Sequence, residues 1–386
     1  MLDSFLRHVT KDSYGPVRLE DHGESRFVVH RFHDHFSVLN WGRMPDSLAG
    51  RGRVSALVFS VLNSRYCDSE SWRQFLRSPE ALSFRKSGAS LSQGGAVSSG
   101  LNALADALPL KSNFAGSIPD ETFKSSVQNQ LLPRSVLVSD PALLYRGSNW
   151  YPVCEHFEEI RIPQALVMGR ASHNFEPWRH ARGPKRLPFE IECHFELNAH
   201  SLEGLNTDAV SIPKTASLRI LQAGATFDFP LMELVLTADP CERKIGLTEA
   251  LAITGFTPER LQELFLQAAW VAAWARYQIR VFRLHSVRLR FGLDSDGATV
   301  LLDAFEPDDL MLEDQGAWIH PGALLGYYSK TSWYEGVIRA RRQASELGLT
   351  EWKRLCVEPA PFLDPAVKSG FETEYQGLER MIRGKV

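Results

Sequence analysis

Residues Arg288–Asp314 read RLRFGLDSDGATVLLDAFEPDDLMLED. Val287, Leu289, Phe291 and Leu293 alternate with Arg288, Arg290 and Gly292, the period of two that marks a half-buried strand. Asp294-Ser295-Asp296-Gly297 carries turn chemistry, with Gly297 free to take a positive φ. Val300-Leu301-Leu302 returns as the partner strand and ends on Asp303, Glu306, Asp308 and Asp309. So many carboxylates so close together need countercharge. Two readings stand: an acidic turn screened by solvent and basic side chains, or the ligand end of a site for a hard cation such as Mg²⁺.

With 386 residues, the chain can bury the cores of two or three domains. Its 44% apolar and 23% charged residues are those of a globular protein and exclude wholesale disorder. A net charge of −3 offers no electrostatic case for a nucleic-acid or membrane partner. The cysteines Cys67, Cys154, Cys193, Cys241 and Cys356 are widely spaced with no CxxC pair, which indicates neither a zinc ribbon nor a disulfide framework. No leader-like segment and no long apolar run is present, so a reducing cytoplasm is the expected location.

Strands are expected at Phe27–Phe32, Ser135–Val138, Leu143–Tyr145, Ile160–Ile162, Ala165–Met168, Phe189–Phe195 and Leu218–Leu221. Helices are expected at Val54–Leu62, Ser71–Leu76 and Pro79–Phe84, and the Gly/Ser-rich run SGASLSQGGAVSSG that follows has the composition of a flexible loop. The clearest helix opens at Thr257-Pro258-Glu259, an N-cap followed by proline at the first helical position. Residues 333–347 and 366–384 are further amphipathic helices. Strands and helices do not alternate regularly, which makes the class α+β.

Other clusters carry less chemistry. His30, His33 and His35 with Asp34 match no standard metal spacing. Cys154-Glu155-His156 reads as one face of a strand. Residues 170–186 gather Arg170, Arg179, His180, Arg182, Lys185 and Arg186 around Trp178, a solvated loop or a phosphate contact. No P-loop, GxGxxG or GxSxG signature occurs.

Set side by side, these stretches resemble phosphoribosylaminoimidazole-succinocarboxamide synthase, the SAICAR synthetase family of ATP-dependent purine-pathway ligases. That family's strand FKLEFG, turn, and DE-x-SPD-x-x-R-x-W-D correspond in spacing to VRLRFG at 287–292 and DAFEPDDLMLED at 303–314. Asp303, Pro307, Asp308 and Asp314 match, whereas Ala304, Met311 and Glu313 depart. Ser13–Arg18 resembles the N-terminal Y-x-GKAK, with Pro16 and Arg18 at its lysines. Asp34 and Ser37, Arg51-Gly52, Leu166-Val167-Met168, Pro188–Glu190 and Phe229–Leu234 with Asp239 follow in family order. The family's glutamate in FKLEFG is Arg290 here, and its VRN-x-x-a-GS run is Cys193–Ser201, with His194 at the arginine.

The resemblance implies a SAICAR synthetase-like fold with ATP in a cleft between two lobes. An N-terminal β-rich lobe would span 1–165, carrying an insertion at about 65–135. An ATP-grasp-like lobe would span 166–325, and C-terminal helices 326–386. It implies ATP and Mg²⁺ as cofactors and small-molecule acid and amine substrates, and it leaves room for a homo-oligomer. Asp303 would hold the metal, with Asp308 supporting it and Arg288 on the phosphates. Arg18 and Leu166–Met168 would line the nucleotide, while Arg51, His194, Ser201 and Asp239 would face substrate. The implied activity is an ATP-dependent amide-forming ligase with an altered pocket. The alternatives are a binding protein of the same fold that has lost ATP turnover, or a small-molecule kinase.

Overall fold

A computed structural model describes residues 10–19, 26–39, 41–90, 96–132, 134–144, 149–167, 170–197, 222–237, 243–319, 321–347, 349 and 352–384. The chain begins with a five-stranded sheet made of β1 (Lys11–Leu19), β2 (Arg26–Phe32), β3 (Phe114–Pro119), β4 (Leu131–Leu132) and β5 (Trp150–Glu155), in the order β3-β5-β2-β1-β4. Helix α1 (Arg51–Cys67) crosses this sheet. It starts earlier and runs longer than the apolar run Val54–Leu62 because it is buried on nearly every side.

Three helices follow: α2 (Ser69–Leu76), α3 (Pro79–Ser90) and α4 (Ala96–Ala107). The Gly/Ser-rich stretch is therefore mostly helical, and the expectation of a flexible loop is corrected, residues 91–95 lying outside the described residues. Its small residues serve close packing. A Cβ on Gly88 would lie 2.5 Å from Leu101 and 2.9 Å from Phe229, and one on Gly100 would lie 3.0 Å from Leu266. Helix α5 (Asp120–Asn129) completes the first half.

After the two-stranded hairpin β6 (Gln164–Val167) and β7 (Arg170–His173) comes a seven-stranded sheet. It contains β8 (Lys185–Glu196), β9 (Thr226–Leu236), β10 (Arg243–Ile245), β11 (Arg283–Leu293), β12 (Thr299–Leu302), β13 (Leu310–Asp314) and β14 (Ala317–Trp318). The long helix α6 (Pro258–Gln278) opens as its sequence predicts, with the Thr257 side chain accepting from Arg260 N at 3.3 Å. Along β8, Phe189, Ile191, Cys193 and Phe195 belong to the core shared with α6. The alternate residues Glu190, Glu192, His194 and Glu196 take the opposite face. Helices α7 (Ser332–Leu347) and α8 (Pro365–Arg383) close the chain, and α8 returns to α1 through Arg53 and Glu379.

Among the described residues, three expected strands do not form, though Val138 keeps an isolated bridge to Ser117. Residues Arg134–Val136 form a single 3₁₀ turn, and Leu143-Leu144 lie in a helical turn opened by Pro141. Residues 160–162 run without a ladder partner. Leu218–Leu221 and Met168 lie outside the described residues.

The opening hairpin is present, with Leu293 opposite Thr299, Gly292 opposite Val300 and Gly297 at φ 78°. Its continuation is new. β12 pairs with β11 at Arg290–Leu293, and β13 resumes on β11 at Arg283–Val287. The acidic residues 303–309 are thus an excursion between two strands that share one partner. The sheets are stitched together beside it: Asn113 N donates to Leu301 O at 3.0 Å, while Glu155 N donates to Asn113 O at 2.7 Å. Among the described residues, no helix is long and apolar enough to cross a membrane, and the cysteines Cys67, Cys154, Cys193 and Cys356 are free thiols.

Gly52 marks where α1 meets β2, since a Cβ there would stand 2.7 Å from Phe32 O and 2.8 Å from His33 C. Backbone atoms cannot swing aside as a side chain can. Gly52→Ala is expected to destabilise the fold by about 1–3 kcal/mol, read as a lower urea midpoint.

Candidate functional site

The excursion 303–309 enters the seam between the sheets, and its backbone is unusual. Asp303 has φ 42° and Phe305 φ 67°, left-handed values that cost a non-glycine residue energy. Three contacts hold it. Asp303 N donates to Asn113 Oδ1 at 3.0 Å, and Asn63 Nδ2 donates to Ala304 O at 2.7 Å. The Phe305 ring packs 5.3 Å from Trp274 and 5.6 Å from Tyr66.

Each carboxylate of the excursion meets cationic side chains from elsewhere in the chain. Asp303, 2% exposed, accepts from Arg186 Nη2 at 2.5 Å and from Asn113 Nδ2 at 3.0 Å. His30 Nε2 lies 3.4 Å and Lys11 Nζ 3.5 Å from the same carboxylate. Glu306 pairs with Lys11. Asp309 receives both terminal nitrogens of Arg290, at 2.5 and 2.8 Å, and Arg290 Nε donates to Glu190 at 2.9 Å. Asp308 pairs with buried Arg51 and accepts from Tyr375 Oη at 3.4 Å. Arg51 also donates to His33 O and His35 O at 3.0 and 2.9 Å.

These pairs set the protonation states. Burial would raise the Asp303 carboxyl, but Lys11, Arg186 and His30 hold it well below the usual carboxylate range. Burial likewise opposes the charge of Lys11, yet Asp303 and Glu306 keep its pKa above the ordinary lysine value. Burial and the neighbouring Lys11 lower His30 below the ordinary histidine value, and burial keeps the Cys154 thiol protonated. For Asp309, burial opposed by Arg290 but reinforced by Glu306 and Glu190 pushes the carboxyl up to about 7.

A magnesium ion does not fit the residues expected to hold it. The Asp303 oxygens are engaged by Arg186, Asn113, His30 and Lys11, and Arg290 brings a guanidinium rather than an oxygen ligand. His30, Cys154 and Asp303 come within reach of one point, as do Glu192, His194 and Glu233. The first group has a protonated thiol and an occupied carboxylate. In the second, Lys244 already pairs with Glu233.

The other expected site residues scatter. Arg51 and Asp308 meet, while Arg18 lies exposed at the far end of β1, roughly 20 Å from Lys11 by strand rise. Arg288 lies 3.8 Å from Glu190 and 3.9 Å from Glu192 rather than at Asp303. His194 is buried and bonds Glu233 at 3.0 Å. Leu166 and Val167 form β6 opposite Ala171 and Arg170, and Met168, Ser201 and Asp239 lie outside the described residues.

In the basic stretch, Lys185 donates to Trp178 O and Ala181 O, at 2.7 and 2.9 Å, and Arg179 pairs with Glu176. Those two cations, with Arg186, are turned to internal acceptors rather than to a phosphate. Asp34 accepts from the amides of Gly50 and Gly52 at 3.2 and 2.8 Å, so it serves as the anion at the start of α1. That helix start borders a cavity of about 380 Å³ lined by Arg31, His33, Asp34, Arg53, Trp150 and Tyr151. Lys11, Asn113 and Tyr375, which stand in no local motif, are partners of the acidic residues that the sequence does not reveal, and Arg186, read there as part of a basic loop, meets Asp303 instead.

Asp303→Asn is expected to destabilise the fold by about 3–5 kcal/mol, because Lys11 and Arg186 would be left partly buried without it. Its folded-state pKa is depressed, so its contribution is complete above the unfolded value near 4 and is lost as pH falls through the folded value. Asp309 has the opposite sign. The unfolded chain releases that proton near pH 4 and the folded chain near 7, so stability falls as pH rises through that window. Urea midpoints across pH 3–8 should show a shallower acid limb in Asp303→Asn and a flatter window from about pH 4 to 7 in Asp309→Asn.

No family model matches this sequence, and no curated protein does. Among solved structures the chain is similar to SAICAR synthetases. One in complex with ADP shares 13% identity over 92% of this chain and 98% of its own, with a TM-score of 0.45. The Saccharomyces cerevisiae synthase complexed with SAICAR shares 11% over 98% and 94%, with a TM-score of 0.47. The Pyrococcus horikoshii enzyme shares 13% over 91% and 100%, with a TM-score of 0.44.

Proposed function

We propose that this chain is an ATP-dependent ligase that joins a carboxylic acid to an amine, with nucleotide and substrates meeting along the seam between the two sheets. Residues 1–165 would form one lobe, 166–325 the other, and 326–386 a helical closure. The observation that carries this reading is the meeting of Arg51 and Asp308, 257 residues apart. The resemblance implies that Asp308 supports the metal position and that Arg51 faces substrate, and their pairing is what supports placing the two functions side by side. Amide formation with ATP needs a phosphorylated carboxylate held against an amine, and most of that work is positioning and charge stabilisation. A rigid seam with buried cations suits that task.

A second reading has its own observation. Arg290 stands where the resembling family has an acid, and Asp303 is fully engaged, which favours a binding protein that keeps the fold without turnover. Nucleotide binding is common to both. At about a hundredfold excess over its dissociation constant, ATP should raise the melting temperature by about 3 °C. Absence of a shift with and without magnesium would rule out both readings. ADP release that depends on adding both an acid and an amine from a substrate panel supports the ligase. ATP stabilisation without ADP release across the panel supports the binding protein.

A further inference from the structure

The carboxylates of the excursion are paired from inside the protein. Glu190, Asp303, Glu306, Asp308 and Asp309 face Lys11, Arg51, Arg186 and Arg290. A glutamate at 290 would change that position from +1 to −1, a difference equal to the charge of one divalent cation. Arg290 is also well placed to do a cation's work: it bridges Asp309 and Glu190 and reaches to within 3.4 Å of Asp303 O and 3.9 Å of Glu306. A guanidinium with its donors fixed in a plane can satisfy several oxygens at once, as a coordinated metal does.

We infer that Arg290, with Lys11 and Arg186, occupies the place of a divalent cation at the acidic excursion, so that this part of the protein holds no metal of its own. A divalent cation that takes part in the chemistry would then arrive on the nucleotide phosphates. The inference concerns the protein without ligand and does not depend on turnover.

The test uses the full chain. Mn²⁺ is titrated by electron paramagnetic resonance without nucleotide, and bound sites are located by Fe²⁺/peroxide cleavage, which cuts the backbone beside a bound iron. For the wild-type chain we expect no cleavage within residues 300–312 at millimolar metal. Stoichiometric Mn²⁺ binding with cleavage in that segment would overturn the inference. Arg290→Glu restores an acid and should bind Mn²⁺ at least about tenfold more tightly, with cleavage now at the excursion. A folded Arg290→Glu without that gain also counts against it, and circular dichroism establishes folding. Should the variant not fold, the wild-type cleavage map decides alone. ATP melting curves in EDTA separate this inference from the functional one. A shift with or without Mg²⁺ supports it so long as the ligand-free chain shows no cleavage at 300–312, because a metal carried on the nucleotide makes the shift depend on Mg²⁺ without a site in the protein. A shift that appears only with Mg²⁺, together with cleavage at 300–312, sinks the metal inference and leaves the ligase standing. No shift in either condition sinks the functional reading, while the cleavage map still decides the question of metal.

Discussion

The fold turns on one buried carboxylate. Asp303 sits at 2% exposure between two sheets, and an ion so placed costs several kcal/mol unless its partners are in position. Those partners come from β1, β2, the segment before β3, and β8. No single element can satisfy it, so the arrangement of both sheets is specified together. The favourable feature is selectivity rather than raw stability, since buried ion pairs seldom outperform apolar packing of the same volume. A sheet docked one register away would leave Lys11 or Arg186 charged and alone.

The backbone of the excursion makes the same demand. Left-handed φ at Asp303 and Phe305 is sustained only where surrounding contacts over-determine it. Here Asn113 and Asn63 fix the polar groups on either side of Ala304, and the ring of Phe305 enters an aromatic cluster that includes Trp72 stacked 5.7 Å from Trp274. The α2–α4 insertion, which supplies Trp72, therefore supports the excursion from behind. α8 supports it from the front, through Tyr375 on Asp308. Both segments look peripheral in the sequence, yet the first backs the aromatic cluster around Phe305 and the second contacts Asp308 itself.

What could be read from the sequence was local and periodic. The hairpin 287–302, the helix opened by Thr257-Pro258 and the two C-terminal helices follow from alternation, capping and amphipathic spacing. Asp303 and Asp308 were marked by their intervals. The errors have physical causes. Gly88 and Gly100 carry the composition of a flexible chain, yet they let side chains of neighbouring elements approach closely. The apolar stretches at 135–138 and 143–144 carry strand-like composition, but only Val138 meets a strand, in a single bridge to Ser117. Lys11 and Asn113, and the pairing of Arg186 with Asp303, are not legible because a contact between distant segments leaves no period in either. Lys11 and Glu306 are separated by 295 residues.

The sign of one position then bears on how the seam can work. A bound metal can leave, bring water, and exchange ligands, whereas a guanidinium is permanent and keeps its proton at any relevant pH. With Arg290 bridging Glu190 and Asp309, the excursion holds its charge balance whether or not a ligand is present. Such a site gains preorganisation, because no ion must be recruited before its dipoles are in place. It loses the ability to offer open coordination positions to a phosphate. Binding energy for an anionic ligand must then come from groups beside the excursion. At the start of α1, Asp34 already occupies the helix amides and Arg53 already pairs with Glu379. Any anion drawn there competes with the protein's own carboxylates.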